Sequence, residues 1–310
     1  MDINNLLEFD LKSTRKNIID FIKKYVAELN KEGAIVGLSG GIDSALVLKL
    51  CVEALSPDKV VAVILPERDS NPKNIKDAKK FAKELGVKVI YKKLTPLLSL
   101  SGAYRLYPPT FFIRRSIVEK YANNKRNSLT ARLQKDLFLA NLEGGTDKEL
   151  SRGIAFYRIK HRLRSVILFY YSELYNYLFA GCANKSEWLT GFFVKYGDSI
   201  ADIMPIISLY KTQVFKLAKF LNIPDYILIK APSPDLIPGL TDEQAIGISY
   251  EKLDLILSSL EKGYLNDEIV KNLRQLNLFI TDEEIKKVSD IMEKSDYLRK
   301  WPIAFQLKDS

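Results

Sequence analysis

Apolar residues along this chain follow two rhythms that take turns. Residues 11–29 put Ile18, Ile22, Tyr25 and Leu29 on one helical face, with Ile19 and Val26 beside them, so an amphipathic helix leads the chain in. The short β-branched run Ala34-Ile35-Val36-Gly37-Leu38 predicts a buried strand, and a helix-like pattern follows from Asp43 through Ala45, Leu46, Leu48 and Leu50. Lys59–Leu65 predicts a second buried strand, closed by Pro66. A helix opened by Asn71-Pro72 runs to about Leu85-Gly86, and Val87–Tyr91 predicts a third strand. Further on, a long helix from Ile154 to about Tyr177 feeds a strand over Tyr177–Cys182, with a helix from Leu209 to near Asn222 after it. Strands alternating with helices predict an α/β fold, a doubly wound parallel sheet with helices on both faces.

Two stretches break the rhythm. Residues 95–152 carry Pro96, Pro108-Pro109, Asn123-Asn124 and Gly144-Gly145 among basic and aromatic positions, and are expected to be an insertion of loops and short helices on the ligand side of the sheet. Basic and aromatic residues together can bind nucleic acid, but no periodic module is present and solvated helices are the simpler reading. The tail is expected to be helical, with capping boxes at Thr241-Asp242-Glu243-Gln244 and Thr281-Asp282-Glu283-Glu284. Its apolar stripes, Leu253, Ile256, Leu257 and Ile285, Val288, Met292, read as core, with a dimer interface as the lesser alternative. The whole is expected to be a single domain over 1–310.

The chemistry concentrates where the first strand ends. Ser39-Gly40-Gly41-Ile42-Asp43-Ser44 is a strand–glycine turn–helix junction, which aims backbone N–H groups and the positive end of a helix dipole at an anion. The glycines let a phosphate approach the backbone, the serines add hydroxyls, and Asp43 offers a carboxylate to Mg²⁺ on a polyphosphate. Neither GxxxxGK[ST] nor GxGxxG is present. Asp43, Glu187, Asp198 and Asp202 all fall at or just past predicted strand ends, where ligands bind in such sheets.

Composition narrows the setting. A net charge of +9, from 47 Lys+Arg against 38 Asp+Glu, suits anionic ligands or a lysine-rich surface equally. The single histidine, His161, excludes a multi-histidine metal site and argues against a Ser–His–Asp hydrolase. No apolar run approaches the roughly 18 residues of a membrane span, and MDINNLLEFD lacks a signal pattern. With only Cys51 and Cys182 there is no disulfide framework, so a cytoplasmic location is expected.

SGGIDS resembles the pyrophosphate loop of the ATP pyrophosphatase superfamily. The order of LPERDSNPKNIKDA, RLRSVILFY, GCANKSE, GFFVKYGDSIAD, PIISLYKTQV, APSPDL and PGLTDEQAIGISYEKLD makes the chain similar to the ammonia-dependent NAD synthetases, over about 33–93 and 153–303. That resemblance implies adenylation of the nicotinic acid carboxylate of deamido-NAD by ATP, with release of pyrophosphate, then displacement of AMP by ammonia. It implies ATP contacts from Gly37, Leu38, Ser39, Gly40, Gly41, Ile42, Asp43, Ser44, Cys182, Lys211 and Ser233, and Mg²⁺ held by Asp43 and Glu187. Arg162, Lys195 and Asp202 match deamido-NAD positions, Tyr297 lies where a histidine normally contacts that substrate, and Asp198 is the candidate catalytic group for ammonia. A homodimer is implied; no membrane is, and nucleic acid is not expected as a partner. With the synthetase match filling the chain, ammonia rather than glutamine is the expected nitrogen donor.

Four departures stand out. The insertion is longer than the family leads one to expect. Cys182 replaces a threonine, His161 and Arg158 replace a small residue and an asparagine, and Tyr297-Leu298 stand where a His-Lys pair would be. Arg299-Lys300 or Arg114-Arg115 are candidate replacements for the missing lysine. A relative acting on another carboxylate or on an RNA base, and a non-catalytic nucleotide binder, stay open as alternatives, to be separated by ATP–pyrophosphate exchange.

Overall fold

The computed structural model describes residues 6–107, 115–144, 147–232, 239–275, 278–300, 302 and 304–305. Its centre is a parallel sheet of β1 (Gly33–Gly37), β2 (Val60–Ile64), β3 (Lys88–Tyr91) and β4 (Tyr177–Ala180) in the order β3-β2-β1-β4. Side chains alternate along each strand. Ala34, Val36, Val60, Ala62, Ile64, Leu178 and Ala180 face one core, and Ile35, Val61, Val63 and Phe179 the other.

Helices cover both faces, as the sequence rhythm requires. The first core is closed by α1 (Leu11–Glu28), α2 (Ile42–Leu55), α3 (Pro72–Glu84) and, later in the chain, by the helix Lys211–Phe220. The second is closed by α4 (Thr95–Leu100) and by the long helix over Lys148–Tyr175. Between these two come α5 (Arg115–Leu133) and α6 (Leu137–Glu143), so the long helix is α7. After β4 follow α8 (Lys185–Thr190), α9 (Lys211–Phe220), α10 (Asp225–Leu228), α11 (Asp242–Ile246), α12 (Tyr250–Glu261), α13 (Asn266–Gln275) and α14 (Asp282–Arg299). A third core, containing Leu253, Ile256, Ile285, Val288 and Ile291, holds this helical tail to α6 and α8.

The expected loop-rich insertion is more regular than its sequence suggests. Asn123 and Asn124 lie inside α5, a helix of 19 residues, because asparagine costs a helix interior only a fraction of a kcal/mol. The helix expected from Ile154 starts at Lys148, where Asp147 caps it by accepting from the Glu149 and Leu150 amides. The last strand stops at Ala180, short of the expected Cys182. There the chain 202–203 takes over the edge: Gly181 N bonds Ile203 O at 2.8 Å.

A phosphate-type loop facing a lysine–carboxylate unit

Loop 38–44 is held open by its own side chains. Ser39 and Ser44 hydroxyls lie 3.0 Å apart, Ser44 Oγ accepts the Ser39 amide at 3.2 Å, and Ser39 Oγ accepts the Gly41 amide at 3.2 Å. Gly40 has φ +85°, and a methyl there would strike the Asn74 carbonyl, so both the conformation and the space demand glycine. The N-terminus of α2 has Gly41 as its cap and no side chain closing it, which leaves its amides to an anion.

Across from this turn stands Lys211, 1% exposed at the start of α9. Its Nζ is 2.6 Å from Asp43 Oδ2 and 3.8 Å from Glu187 Oε1. Asn184 joins the same carboxylates from another side. Its Nδ2 donates to Asp43 Oδ1 at 3.0 Å, while its Oδ1 accepts the Glu187 amide at 3.0 Å and Glu187 Oε2 accepts the Asn184 amide at 3.2 Å. That reciprocal pair is the capping box of α8, so a local helix start fixes Glu187 in direction. Ser186 Oγ accepts the Lys211 amide at 2.8 Å and bonds Asp254, whose other oxygen accepts the Thr212 amide at 2.8 Å, locking α8, α9 and α12 together.

Charge is unbalanced here. Asp43, Glu187 and the buried Asp242 all act on Lys211. Burial works against the ammonium, but Asp43 and Glu187 outweigh it and hold Lys211 above its ordinary value. Burial, reinforced by Asp43, pushes Glu187 well above the usual carboxylate range, and burial raises Asp242 to about 6 despite Lys211. Among the described residues no group of three or more His, Cys, Asp or Glu could hold a metal by itself. The donor set of Asp43 and Glu187 instead suits a hard divalent cation taking its remaining ligands from phosphates and water.

Loop and unit open into one cavity of about 1110 Å³, walled by residues 37–44, by 68–71, by parts of α5, α6 and α7, and by 191–194. Of the residues expected from sequence, Gly37 to Ser44, Cys182, Glu187, Asp198 and Lys211 all line it. Burial, then Asp43, pushes the Cys182 thiol well above its ordinary value, so it is a neutral wall group rather than a nucleophile. Ser233 lies outside the described residues, as do Arg114 and the side chain of Arg115.

The expected substrate residues sit elsewhere. Arg162 Nε reaches Lys195 O at 3.3 Å and Lys195 Nζ reaches Tyr297 O at 3.0 Å, which gathers these three on an outer patch beyond the cavity wall. Asp202 is apart from both, exposed, and accepts the Phe179 amide at 2.7 Å. Arg162 also borders a shallower groove of about 400 Å³ with Val166, Tyr170 and Tyr196. Arg299 is consumed by the carbonyls of Trp188, Leu189 and Met292, and Lys300 by Asp296. These contacts argue against that pair as a replacement cation.

Sequence reasoning missed several cavity residues. Lys230 lies 2.9 Å from Gly40 O and 2.6 Å from Asp77, a second ammonium beside the glycine turn. Arg158 and Arg164 face the cavity from α7, as does His161. Buried Lys160 pairs with Glu67 at 3.0 Å and Asp69 at 2.9 Å, and Tyr104 adds its hydroxyl to Glu67 at 2.8 Å. The signal for Lys160 was a lone lysine between Phe156 and Leu163 on an otherwise apolar helix face.

Comparisons with known proteins point one way. The family model described as NAD synthase matches residues 14–105 and 115–302, so it runs through α5 and α6. The NH(3)-dependent NAD(+) synthetase of Thermotoga maritima is 48% identical over 94% of this chain and 99% of its own length. That of Methanocaldococcus jannaschii is 38% identical over 92% and 93%. Among solved structures, the NH3-dependent NAD synthetase from Campylobacter jejuni, in complex with the nitrate ion, has TM-score 0.68 and 27% identity, covering 96% of this chain and 100% of that one. The NMN synthetase from Francisella tularensis, TM-score 0.70 at 24% identity over 97% and 100%, speaks for the fold alone.

Proposed function

The chain belongs to the NAD synthase family and makes NAD with ammonia as nitrogen donor, and on that footing we propose which of its residues do the work. ATP is spent in this family. Its polyphosphate is assigned to loop 38–44, with the α2 amides and the ammonium groups of Lys211 and Lys230 taking up negative charge as pyrophosphate separates. The single observation that carries this assignment is the Lys211–Asp43–Asn184–Glu187 unit, set directly against a glycine turn with open amides. Asp43 and Glu187 would hold Mg²⁺, which neutralises phosphate charge when bound. Cavity volume fits the scheme, since about 1,000 Å³ is the upper end for one ligand pocket and ATP must be joined there by the nicotinic acid end of deamido-NAD.

Asp198 is assigned to ammonia. Its Oδ1 accepts the Val194 amide at 2.7 Å, which aims the carboxylate, and its Oδ2 lies 3.3 Å from His161 Nδ1. Arg162, Lys195 and Tyr297 are assigned to deamido-NAD through the outer patch. The chain is read as a homodimer through α7, on the strength of Val166, Tyr170 and Leu174, an exposed apolar stripe at spacing four beside the Arg162 groove. All 310 residues are read as one domain. The deciding experiment is isotope exchange between pyrophosphate and ATP. Exchange that requires deamido-NAD, followed by amide formation on adding ammonium, is expected. Exchange that requires RNA or another acid instead would overturn the substrate assignment.

A further inference from the structure

His161 stands in the cavity wall with its Nδ1 3.3 Å from Asp198 Oδ2. Its surroundings fix this pairing from both sides. The 194–198 loop packs directly on it, since a side chain at Gly197 would meet His161 Cβ at 2.9 Å. One helical turn further along α7, Ser165 Oγ donates to Gly197 O at 2.6 Å and pins the loop to the helix. Asp198 spends Oδ1 on the Val194 amide at 2.7 Å, so Oδ2 is the atom turned to the imidazole. An imidazole with a carboxylate at Nδ1 keeps its proton there and presents a lone pair at Nε2. Burial lowers the His161 pKa against the pull of Asp198, and Arg164 and Lys160 on its own helix lower it further, so the ring rests neutral.

We propose that His161 and Asp198 form a catalytic dyad for the second half of the reaction, with His161 Nε2 the base that takes a proton from ammonium. The inference rests on the assignment of Asp198 to ammonia. Ammonium enters with four protons. His161 takes one, which frees the nitrogen lone pair to attack the adenylated carbonyl and form the C–N bond. The C–O bond to the phosphate breaks, its electron pair leaves with AMP, and AMP's phosphate takes the second proton. Two protons remain on the amide. The imidazolium is stabilised by Asp198 until it returns its proton to solvent.

Two half-reactions and two variants test this. In His161→Asn the side-chain amide can still donate towards Asp198 but offers no base in place of Nε2; in His161→Gln the reach of the ring is kept without its basicity. Both should retain deamido-NAD-dependent ATP–pyrophosphate exchange while ammonium-dependent turnover falls by about 10²-fold or more. Hydroxylamine, already neutral near pH 7, should lose much less than ammonium. Full ammonium turnover in His161→Asn would overturn the proposal in favour of mere orientation of Asp198. Parallel loss of exchange and amidation would overturn it in favour of a packing role. Absence of exchange in the wild-type protein would instead count against the substrate assignment, so the two failures are distinguishable.

Discussion

Asp43 Oδ2 and Lys211 Nζ, 168 residues apart in sequence, stand 2.6 Å apart at the mouth of α2. The pair couples the glycine turn to the second half of the chain. Neither partner has a purely structural environment: Lys211 is buried against Asp43, Glu187 and Asp242, and all four residues line the cavity.

Removing one of these charges should therefore hurt catalysis more than folding. Asp43→Asn and Glu187→Gln are each expected to cut turnover by about 10²-fold or more, the scale of losing a preorganised electrostatic group. Steady-state rates across a Mg²⁺ titration, beside melting curves, check it. Near-wild-type rates for both would reject the metal assignment.

Gly40→Ala tests the loop without touching charge. The left-handed backbone alone costs a non-glycine about 1–2 kcal/mol, and the added methyl displaces the Asn74 carbonyl. ATP–pyrophosphate exchange should drop at least about tenfold, while Gly144→Ala, at φ +72° with nothing within 4 Å, carries a similar backbone cost away from the loop and should leave exchange per folded molecule unchanged.

Lys160→Met leaves Glu67 and Asp69 without their shared cation in a site where Lys160 and Glu67 are fully buried. Breaking a buried pair from one side costs about 3–5 kcal/mol. Chemical denaturation should show that loss, with a raised KM for ATP because the Glu67–Ser70 turn borders the cavity. Adding Glu67→Gln and Asp69→Asn to the same chain should recover part of the stability.

Asp254 makes stability depend on pH. Burial pushes its carboxyl from 3.8 up to about 6, against donors from Ser186 and Thr212. The folded protein thus holds that proton at a pH where the unfolded chain has released it, so this contribution is present at low pH and lost as pH rises from about 4 to 6. It is worth about 3 kcal/mol. Urea midpoints for Asp254→Asn should vary less over that window than for the wild type; Asp242, also pushed up to about 6, keeps its own share. An unchanged profile would refute the assignment.

On the outer face, if α7 joins two copies as proposed, the wild type sediments as a dimer, and Val166→Glu with Tyr170→Glu should give monomers and raise KM for deamido-NAD with that for ATP unaltered. An intact dimer would reject α7 as the interface.

What the sequence made legible was whatever repeats locally. β1, β2 and α3 could be placed within a residue or two because apolar periodicity and proline or glycine punctuation act over a few positions. The loop was readable for the same reason. Asn184, Lys230, Asp242 and Lys160 were not, since each owes its role to a partner distant in sequence. Asp242 could be seen only as the first residue after a capping threonine. Arg162, Lys195, Asp202 and Tyr297 were grouped in sequence by resemblance alone; folding brings Arg162, Lys195 and Tyr297 side by side and leaves Asp202 on the Phe179 amide, an arrangement that depends on how 191–202 and α14 fold against α7.

The parallel pairing of β1 with β4 has a consequence in time. Gly33 pairs with Tyr177, so the sheet's last neighbour arrives only after a very long stretch of chain has been ordered or at least looped out. Loop closure of that length is slow, while β1–β2–β3 and their helices can assemble early from nearby segments. Asn184, Glu187 and Lys211 all lie beyond β4, whereas Asp43 lies before β2. A newly made chain therefore gains its glycine turn first and the groups that answer it last, and enzymatic competence becomes a late marker of maturation, trailing the return of helical signal on refolding.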